Sequence, residues 1–301
     1  MTNTHYKNNF YIGIALALTA VIVWSGNYVV ARGIAQTVPP ISVAFYRWFI
    51  ASICIVPISW KNFKADKTAI LQNKRYLFFA AVTGVTLFNT FIYLAGHYTK
   101  AINLALIGTT AAPIFATILA SVFLKEVISI FRVTGMVVCF AGILFLLSQG
   151  SFQKLANFHF EKGDVLMFIS AISFASYTTL VRKKPANISA LSFLMVTFVV
   201  GTLALFPFYL IEYSTTASVL WNMNLVYTFI YLAIGNSVIA FLCWNAAIKR
   251  LGASVAALFT NLIPVFSTIE AVVFLNEQFT NIHLVSGALI VSGLIVANVK
   301  K

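Results

Sequence analysis

The stretch ALIGTTAAPIFATILASVFLKE (105–126) occurs a second time, in diverged form, as AALFTNLIPVFSTIEAVVFLNE (256–277). In both copies an alanine is followed four residues later by a threonine and eight residues later by a proline, and a glutamate follows 13 residues after the proline. The offset between the copies is 151 residues, and Gly84 and Gly235 keep the same offset. A constant offset over several features indicates that the chain arose by internal duplication.

Both copies are embedded in strongly apolar sequence. The chain has 301 residues, of which 60% are apolar and 9% are charged. Soluble domains usually carry about 25% charged residues, so this composition cannot cover a water-facing surface and indicates an integral membrane protein. The net charge of +13 does not point to a nucleic-acid partner, because the Lys and Arg residues lie in short gaps between apolar runs.

Ten apolar runs are long enough to cross a bilayer as helices, since a hydrocarbon core about 30 Å thick needs roughly 20 residues. We predict spans at 12–34, 41–60, 76–97, 102–124, 130–148, 164–182, 190–211, 225–247, 252–275 and 280–299. Short polar gaps separate them, the Lys-rich stretch 61–75 among them. The runs are continuous, unlike the alternating segments of a membrane barrel, so the predicted fold is an all-α bundle of ten transmembrane helices.

The duplication divides the chain into residues 1–150 and 151–301, each with five predicted spans. Because five is an odd number, the second copy must cross the membrane in the opposite orientation to the first. Inverted repeats of this kind are typical of carriers that expose a midplane site to either side in turn. If both termini are cytoplasmic, 15 Lys and Arg residues lie inside and four outside, as the positive-inside rule requires.

The repeated proline and glutamate residues predict local features of the fourth and ninth spans. Pro113 and Pro264 are expected to kink these helices by removing a backbone hydrogen bond, with a functional hinge as the alternative. Glu126 and Glu277 lie where the helices reach a loop. We expect these two carboxylates to make structural contacts between helix and loop.

Two ionisable side chains lie at membrane depth. Arg47 is about seven residues into the second span and Glu270 about seventeen into the ninth, so at ~1.5 Å per residue both lie in the outer half. Charged groups at this depth are costly and indicate function. Three interpretations are open: an ion pair between the two residues, an Arg47 that binds a substrate carboxylate, and a Glu270 that takes up a coupling proton.

Polar and aromatic residues at mid-depth form a second group of candidates. The substrate-binding candidates are Trp24, Asn27, Tyr28, Arg47, Asn89, Tyr93, Tyr177, Asn236, Trp244 and Asn261. Amide and phenol groups can hydrogen-bond a zwitterion, and aromatic rings can stack on cations or apolar groups. Each residue alone is also explained by an interhelical hydrogen bond, but the set predicts a polar, aromatic-lined central pocket. On the ninth helix, Glu270 and Asn261 lie on nearly opposite faces, so both cannot line one narrow cavity.

The sequence predicts no cofactor and no catalytic centre. Cys54, Cys139 and Cys243 lie inside apolar runs, and no cluster of His, Cys or carboxylates has the spacing of metal ligands. The seven acidic residues are dispersed, whereas a membrane enzyme needs grouped catalytic side chains. A membrane enzyme is therefore the weakest alternative to a carrier, and a channel or a lipid-handling protein is the other.

Several motifs resemble the drug/metabolite transporter superfamily, specifically its ten-span EamA-type members. They are Trp24-Ser-Gly-Asn27 with Arg32, Phe45-Tyr-Arg47-Trp, and the Pro-x12-Glu element that occurs twice with inverted topology. The resemblance covers nearly the whole chain. In the second copy Tyr177 replaces Asn27 and Thr197 replaces Arg47, which suggests an asymmetric substrate site.

The resemblance also implies a function and a location. It implies a carrier in the bacterial inner membrane, often an exporter, for small metabolites such as amino acids or their derivatives. Such carriers do not hydrolyse ATP, and no Gly-x4-Gly-Lys-[Ser/Thr] loop is present. The expected partners are a small-molecule substrate, membrane lipid and protons as a candidate coupling ion, and the chain is expected to be a monomer or a homodimer.

Overall fold

The computed structural model describes residues 2–125, 128–151, 153, 161–216, 219–251, 256 and 259–297. Every regular element in this part of the chain is helical, and we name its ten principal helices α1 to α10. They are α1 Thr2–Gly33, α2 Pro40–Gln72, α3 Lys74–Gly96, α4 Ala101–Leu124, α5 Ile130–Leu147, α6 Lys162–Arg182, α7 Ala190–Thr215, α8 Met223–Leu251, α9 Thr260–Leu275 and α10 Asn281–Ala297.

The length and composition of these helices suit a membrane. Eight of them, α1 to α8, contain segments long and apolar enough to cross a bilayer, while α9 and α10 are shorter apolar helices. The predicted all-helical membrane fold with ten helices is therefore confirmed. The predicted start of the ninth span, residue 252, lies outside the described residues, and so does Glu126.

The Lys-rich gap predicted at 61–75 is helical for most of its length. Helix α2 continues to Gln72 and has 33 residues. The extension holds Lys, Ala, Leu and Gln, which are strong helix formers, and contains no glycine or proline. The chain is interrupted only around Asn73, whose backbone N–H closes the helix on the carbonyls of Ala69 and Ile70.

Two helix pairs show how the halves meet. The most extensive helix contacts are those of α5 with α10 and of α2 with α7. The hydroxyls of Ser52 and Thr202, which are 150 residues apart in sequence, lie 3.1 Å from each other. The Cys139 thiol contacts the carbonyl of Ile290 at 3.4 Å across 151 residues. Equivalent positions touch only near a symmetry axis, so an approximate two-fold axis runs through both pairs. The boundary between the halves at residue 150 stays a prediction.

Close backbone approach explains the contact of α5 with α10. A methyl group at Gly135 would lie 2.4 Å from the carbonyl oxygen of Gly293, and one at Gly293 would lie 2.7 Å from the carbonyl oxygen of Gly135. Only glycine fits at both positions. In lipid, where apolar burial does not drive helix association, such small-residue contacts let helices pack tightly.

Helices α3 and α8 are interrupted by wider, π-helical turns at equivalent positions. These turns are Val82–Leu87 in α3 and Tyr231–Ile239 in α8, and they contain Gly84 and Gly235 respectively. Such turns are rare and often lie at functional sites, because they redirect side chains that a regular helix would spread around its axis. The turn in α8 faces the site described next.

The two repeated prolines differ in their local setting. Pro113 lies inside α4, which is helical from Ala101 to Leu124. Pro264 lies in the first turn of the α-helical part of α9, directly after the 3-10 turn Thr260–Leu262. Proline is favourable in a first turn, where its missing N–H leaves no hydrogen bond unmade. The hinge role of both residues stays a prediction.

Candidate functional site

The centre of the bundle holds a buried arginine. Arg47, on α2, is only 3% exposed, and its guanidinium carbon lies 4.8 Å from the centre of the Trp48 ring. The guanidinium hydrogen-bonds to the oxygens of five side chains. Nε donates to Ser237 Oγ at 2.8 Å, and Nη2 donates to Asn236 Oδ1 at 2.6 Å. Nη1 shares its two hydrogens among three acceptors: Asn27 Oδ1 at 2.7 Å, Asn89 Oδ1 at 2.8 Å and Tyr93 OH at 2.8 Å. We call this group the Arg47 cluster.

Three helices supply the partners of Arg47. Asn27 comes from α1, Asn89 and Tyr93 come from α3 one turn apart, and Asn236 and Ser237 come from the π-helical turn of α8. The wide turn explains how two consecutive residues reach one cation. Ser237 Oγ also donates to the carbonyl of Leu232, five residues earlier, at 2.9 Å.

A second set of hydrogen bonds ties α1 to α8 beside the cluster. The carbonyl oxygen of Val23 accepts from Asn236 Nδ2 at 2.7 Å and from Tyr231 OH at 2.6 Å. The Trp24 indole N–H donates to the carbonyl of Asn236 at 3.2 Å. Asn236 thus contacts both Arg47 and α1, so a movement of α1 would disturb the partners of Arg47.

The Arg47 cluster contains no negative charge. The five partners are three amides, one hydroxyl and one phenol, and within the described residues no hydrogen bond of Arg47 reaches a carboxylate. A buried charge without a counter-charge is expensive. Neutral oxygens reduce that cost by solvating the guanidinium, but they leave its net positive charge in place. The site therefore favours an anionic group.

The ion pair between Arg47 and Glu270, one of the three open interpretations, is not formed in the described structure. Glu270 Oε1 accepts a hydrogen bond from Ser25 Oγ at 2.8 Å, whereas the guanidinium is occupied by the neutral partners from α1, α3 and α8. Glu270 therefore contacts α1 at Ser25, and Arg47 contacts the same helix at Asn27. The two ionisable groups flank α1 instead of meeting.

Glu270 has one oxygen without a partner. Glu270 Oε2 is buried, and no residue of the described structure hydrogen-bonds to it. A methyl group at Gly26 would lie 3.4 Å from this oxygen and 2.1 Å from the Tyr231 hydroxyl. The carboxylate and the phenol thus approach the same short segment of α1, and Gly26 makes room for both.

Half of the ten substrate-binding candidates meet at one place. Asn27, Arg47, Asn89, Tyr93 and Asn236 form the Arg47 cluster with Ser237. Trp24 packs beside it, with its ring centre 5.2 Å from that of Trp244. No local sequence pattern places Ser237 beside Arg47, although Asn236 and Ser237 form an unusual polar pair within an apolar run. Ser25 and Tyr231 were missed in the same way.

Three candidates lie away from the cluster. Tyr28 is buried, and its hydroxyl lies 3.1 Å from the methyl position of Gly108 on α4. Tyr28 directly follows Asn27 in α1, and consecutive residues point in directions about 100° apart around a helix, so the two side chains face different helices. Tyr177 packs its ring on Gly84. Asn261 lies in the 3-10 turn of α9 and is not among the hydrogen-bond partners of Arg47.

The structural candidate Glu277 contacts a helix terminus. Its two carboxylate oxygens accept the backbone N–H groups of Ala101 at 2.8 Å and Ile102 at 3.2 Å, at the start of α4. The sequence pattern predicts a contact between a helix end and a loop. The structure shows that the contact joins the two halves.

The comparisons with known proteins agree on a transporter family. The model of the EamA-like transporter family matches twice, over residues 11–148 and 161–299. An uncharacterized transporter of Archaeoglobus fulgidus is 28% identical over 289 residues, covering 96% of this chain and 97% of that relative. The uncharacterized transporter YyaM of Bacillus subtilis is 26% identical over 259 residues, covering 86% of this chain and 84% of that relative.

A solved crystal structure has the same fold. It superposes with a TM-score of 0.67 at 21% identity and covers 95% of both chains, which is a likeness of fold alone. The family matches point to transport and not to catalysis. The chain belongs to the EamA-like transporter family and is a multi-pass integral membrane protein of that family.

Proposed function

We propose that this chain is a secondary carrier that exports a small metabolite with a carboxylate group, such as an amino acid or a derivative, across the bacterial inner membrane. In this proposal both termini are cytoplasmic and Arg47 binds the carboxylate. The observation that carries it is the buried guanidinium with only neutral partners.

The chemistry of the cluster supports a carboxylate. A guanidinium presents its N–H groups as a planar fork that matches two carboxylate oxygens. When a substrate takes their place, the neutral partners lose a hydrogen bond to Arg47 but no negative charge is left unpaired. A Glu or Asp partner, in contrast, would repel the incoming anion. An anionic substrate therefore competes with amide and hydroxyl oxygens, which are weaker acceptors for a cation.

The aromatic side chains next to the cluster support a substrate with a second feature. The rings of Trp24 and Trp244 lie beside each other, and Phe241 packs on Trp24 at 5.3 Å between ring centres. Such a surface can stack on an ammonium group or on an apolar side chain. A carboxylate bound by Arg47 and an ammonium or apolar group at the indoles together describe an amino acid or a close derivative.

Protons are the coupling ion in this proposal, and Glu270 is the residue that takes them up. Its Oε2 is buried without a hydrogen-bond partner in the described structure, so this oxygen can bind a proton without breaking a hydrogen bond. Ser25 links Glu270 to the segment of α1 that contains Asn27, and Asn27 accepts a hydrogen bond from Arg47 of α2. A change in the charge of Glu270 would be felt by Ser25 and, through α1, by the Arg47 cluster.

Thermal melts of the purified protein test the substrate class. Amino acids, N-acylated amino acids, dicarboxylates and polyamines are added singly, to the unaltered protein and to Arg47→Gln. We expect compounds with a carboxylate to raise the melting temperature of the unaltered protein only. Stabilisation by polyamines alone, or an equal response of Arg47→Gln, would contradict the proposal.

Proteoliposomes loaded with the stabilising compound test transport and coupling. We expect the unaltered protein to show flux driven by a pH gradient and Glu270→Gln to lose it, while counterflow of the same compound at equal pH persists. Ser176→Ala on α6 is the control, because the Ser176 hydroxyl donates to the carbonyl of Ile172 on its own helix at 2.9 Å. Unitary currents would indicate a channel instead, and an unchanged pH response of Glu270→Gln would remove Glu270 from the coupling step.

A further inference from the structure

Three carboxylates outside the Arg47 cluster cover helix N-termini that belong to the other half of the chain. Glu212, on α7, accepts the N–H groups of Ile41 at 3.0 Å and Ser42 at 2.6 Å at the start of α2. Asp66, on α2, accepts the N–H of Ser189 at 2.8 Å at the start of α7. The third is Glu277, whose bonds to the start of α4 are described above.

The contacts of Glu212 and Glu277 replace side-chain caps that α2 and α4 lack. The first N–H groups of a helix have no partner within it and carry partial positive charge. Pro39 and Lys100, which precede α2 and α4, provide no side-chain cap. A carboxylate from the other half therefore satisfies both termini, and the bonds are charge-assisted. Separating the two halves at these points exposes unpaired N–H groups and a carboxylate at once.

The helices α2 and α7 are joined at both ends and in the middle. Glu212 near the end of α7 caps α2, Asp66 near the end of α2 caps α7, and Ser52 contacts Thr202 on the approximate axis between them. Opening a path at either membrane face by parting this pair would break one of its caps. The pair is therefore suited to stay together while other helices move.

Glu277 joins a different pair, α9 and α4, at one face of the bundle. It lies two residues beyond the end of α9. The intervening Asn276 ends the helix in a left-handed conformation, with a φ of 53°. Its own backbone N–H donates to the carbonyl of Ala271 at 3.2 Å, so the carboxylate is fixed to the end of α9. Along the same helix lies Glu270, which contacts α1 at Ser25. The end of α9 thus connects the α4 contact to the segment of α1 that borders the Arg47 cluster.

We propose that Glu277 is the latch that closes the outer face of the carrier, and that α2 and α7 form the fixed axis around which α9 and α4 part. The proposal extends the carrier function given above to its outer gate. The two glutamates then have different roles despite similar chemistry: Glu277 makes a contact that is broken in every cycle, and Glu212 makes one that is kept. In this structure the latch is closed.

Cysteine labelling tests the latch without any substrate. Cys54, Cys139 and Cys243 are first replaced by alanine. Ala271, which is 0% exposed, is then changed to cysteine as the reporter. A charged, membrane-impermeant maleimide is added to right-side-out vesicles and, separately, to inverted vesicles. Glu277→Gln removes the charge and one acceptor oxygen, and Glu212→Gln is the matched control with the same change.

We expect Glu277→Gln to raise the labelling rate from the outer side about tenfold, because loss of a charge-assisted bond shifts a two-state equilibrium by roughly this factor. Glu212→Gln should change that rate less than about twofold. No increase with Glu277→Gln, an equal increase with Glu212→Gln, or an increase from the inner side alone would overturn the latch.

A second variant covers the case in which Glu277→Gln does not fold, as judged by a monodisperse elution profile. Glu277→Asp keeps the charge and shortens the side chain, and it should raise the labelling rate from the outer side; an unchanged rate would overturn the latch in the same way. The labelling result does not depend on transport. If no solute is carried but labelling follows the latch, the proposed function fails and the gate stands.

Discussion

Arg47 on α2 and Thr197 on α7 occupy equivalent positions in the two halves, yet they have opposite surroundings. Arg47 donates to side chains of three other helices, whereas Thr197, equally buried, donates only to the carbonyls of Phe193 at 2.9 Å and Leu194 at 3.0 Å on its own helix. The helical scaffold is kept, but within the described residues a polar cluster forms around Arg47 and not around Thr197. An asymmetric site is therefore compatible with a symmetric frame.

The crossings beside these residues differ in the same way. At the crossing of α1 with α8, Asn27 of α1 reaches Arg47, and α8 contributes its π-helical turn. At the equivalent crossing of α6 with α3, the ring of Tyr177 covers Gly84 and stacks with Phe193. One crossing thus solvates a cation and the other packs aromatic surface. Substitutions at equivalent positions should therefore have unequal effects.

The largest difference is expected between Arg47→Leu and Thr197→Val. Loss of the guanidinium leaves the amide oxygens of Asn89 and Asn236 buried without a donor, which costs about 3 kcal/mol of unfolding free energy. Thr197→Val keeps the shape and removes only bonds within α7, so its cost should stay below about 1 kcal/mol. Unfolding titrations of the purified proteins in mixed micelles measure both values, and similar losses would mean that the Arg47 cluster is not specially stabilising.

A smaller difference is expected between Asn236→Ala and Thr86→Val, in the two π-helical turns. Asn236 accepts from Arg47 and donates to Val23, so its loss leaves a buried charged donor with fewer partners and should cost about 2 kcal/mol. Thr86 donates one bond, to the carbonyl of Gly201 at 3.0 Å, and its loss should cost about 0.6 kcal/mol. The same titrations apply, and a reversed order would refute the polar role of the α8 turn.

The two glycines of these turns provide a steric version of the comparison. A methyl group at Gly84 would lie 2.4 Å from a ring carbon of Tyr177, but one at Gly235 would lie 3.5 Å from its nearest neighbour. Gly84→Ala should therefore cost about 1.5 kcal/mol through overpacking, while Gly235→Ala should be nearly neutral. Melting temperatures of the two variants check this, and Gly84→Ala combined with Tyr177→Leu should recover part of the loss.

The sequence predicts the frame of this molecule better than its centre. Ten apolar runs and a constant offset are enough to give the helices, because lipid forces each span to satisfy its own backbone. The neighbours of Arg47 depend on the π-helical turn of α8, which no local pattern announces, so Ser237 was not foreseen. The similar depth of Arg47 and Glu270 leaves an ion pair between them open as one interpretation. Depth does not fix the direction of a side chain around its helix, and Glu270 faces Ser25 instead.

The smallest expected effect concerns the contact between α2 and α7 on the approximate two-fold axis. Ser52 and Thr202 are equivalent residues that hydrogen-bond to each other at 3.1 Å, and Ser52→Ala and Thr202→Val both remove this bond. Thr202→Val also removes the bond from the Thr202 hydroxyl to the carbonyl of Phe198 at 2.8 Å, but a bond of this kind within one helix adds little stability. Each substitution should cost about 0.6 kcal/mol, an average value for interhelical bonds in lipid. Because both changes delete the same interhelical bond, the double variant should lose little more than either single one, whereas independent sites would add. Unfolding titrations of the three variants decide between these outcomes, and additive losses would place the two-fold axis away from this contact.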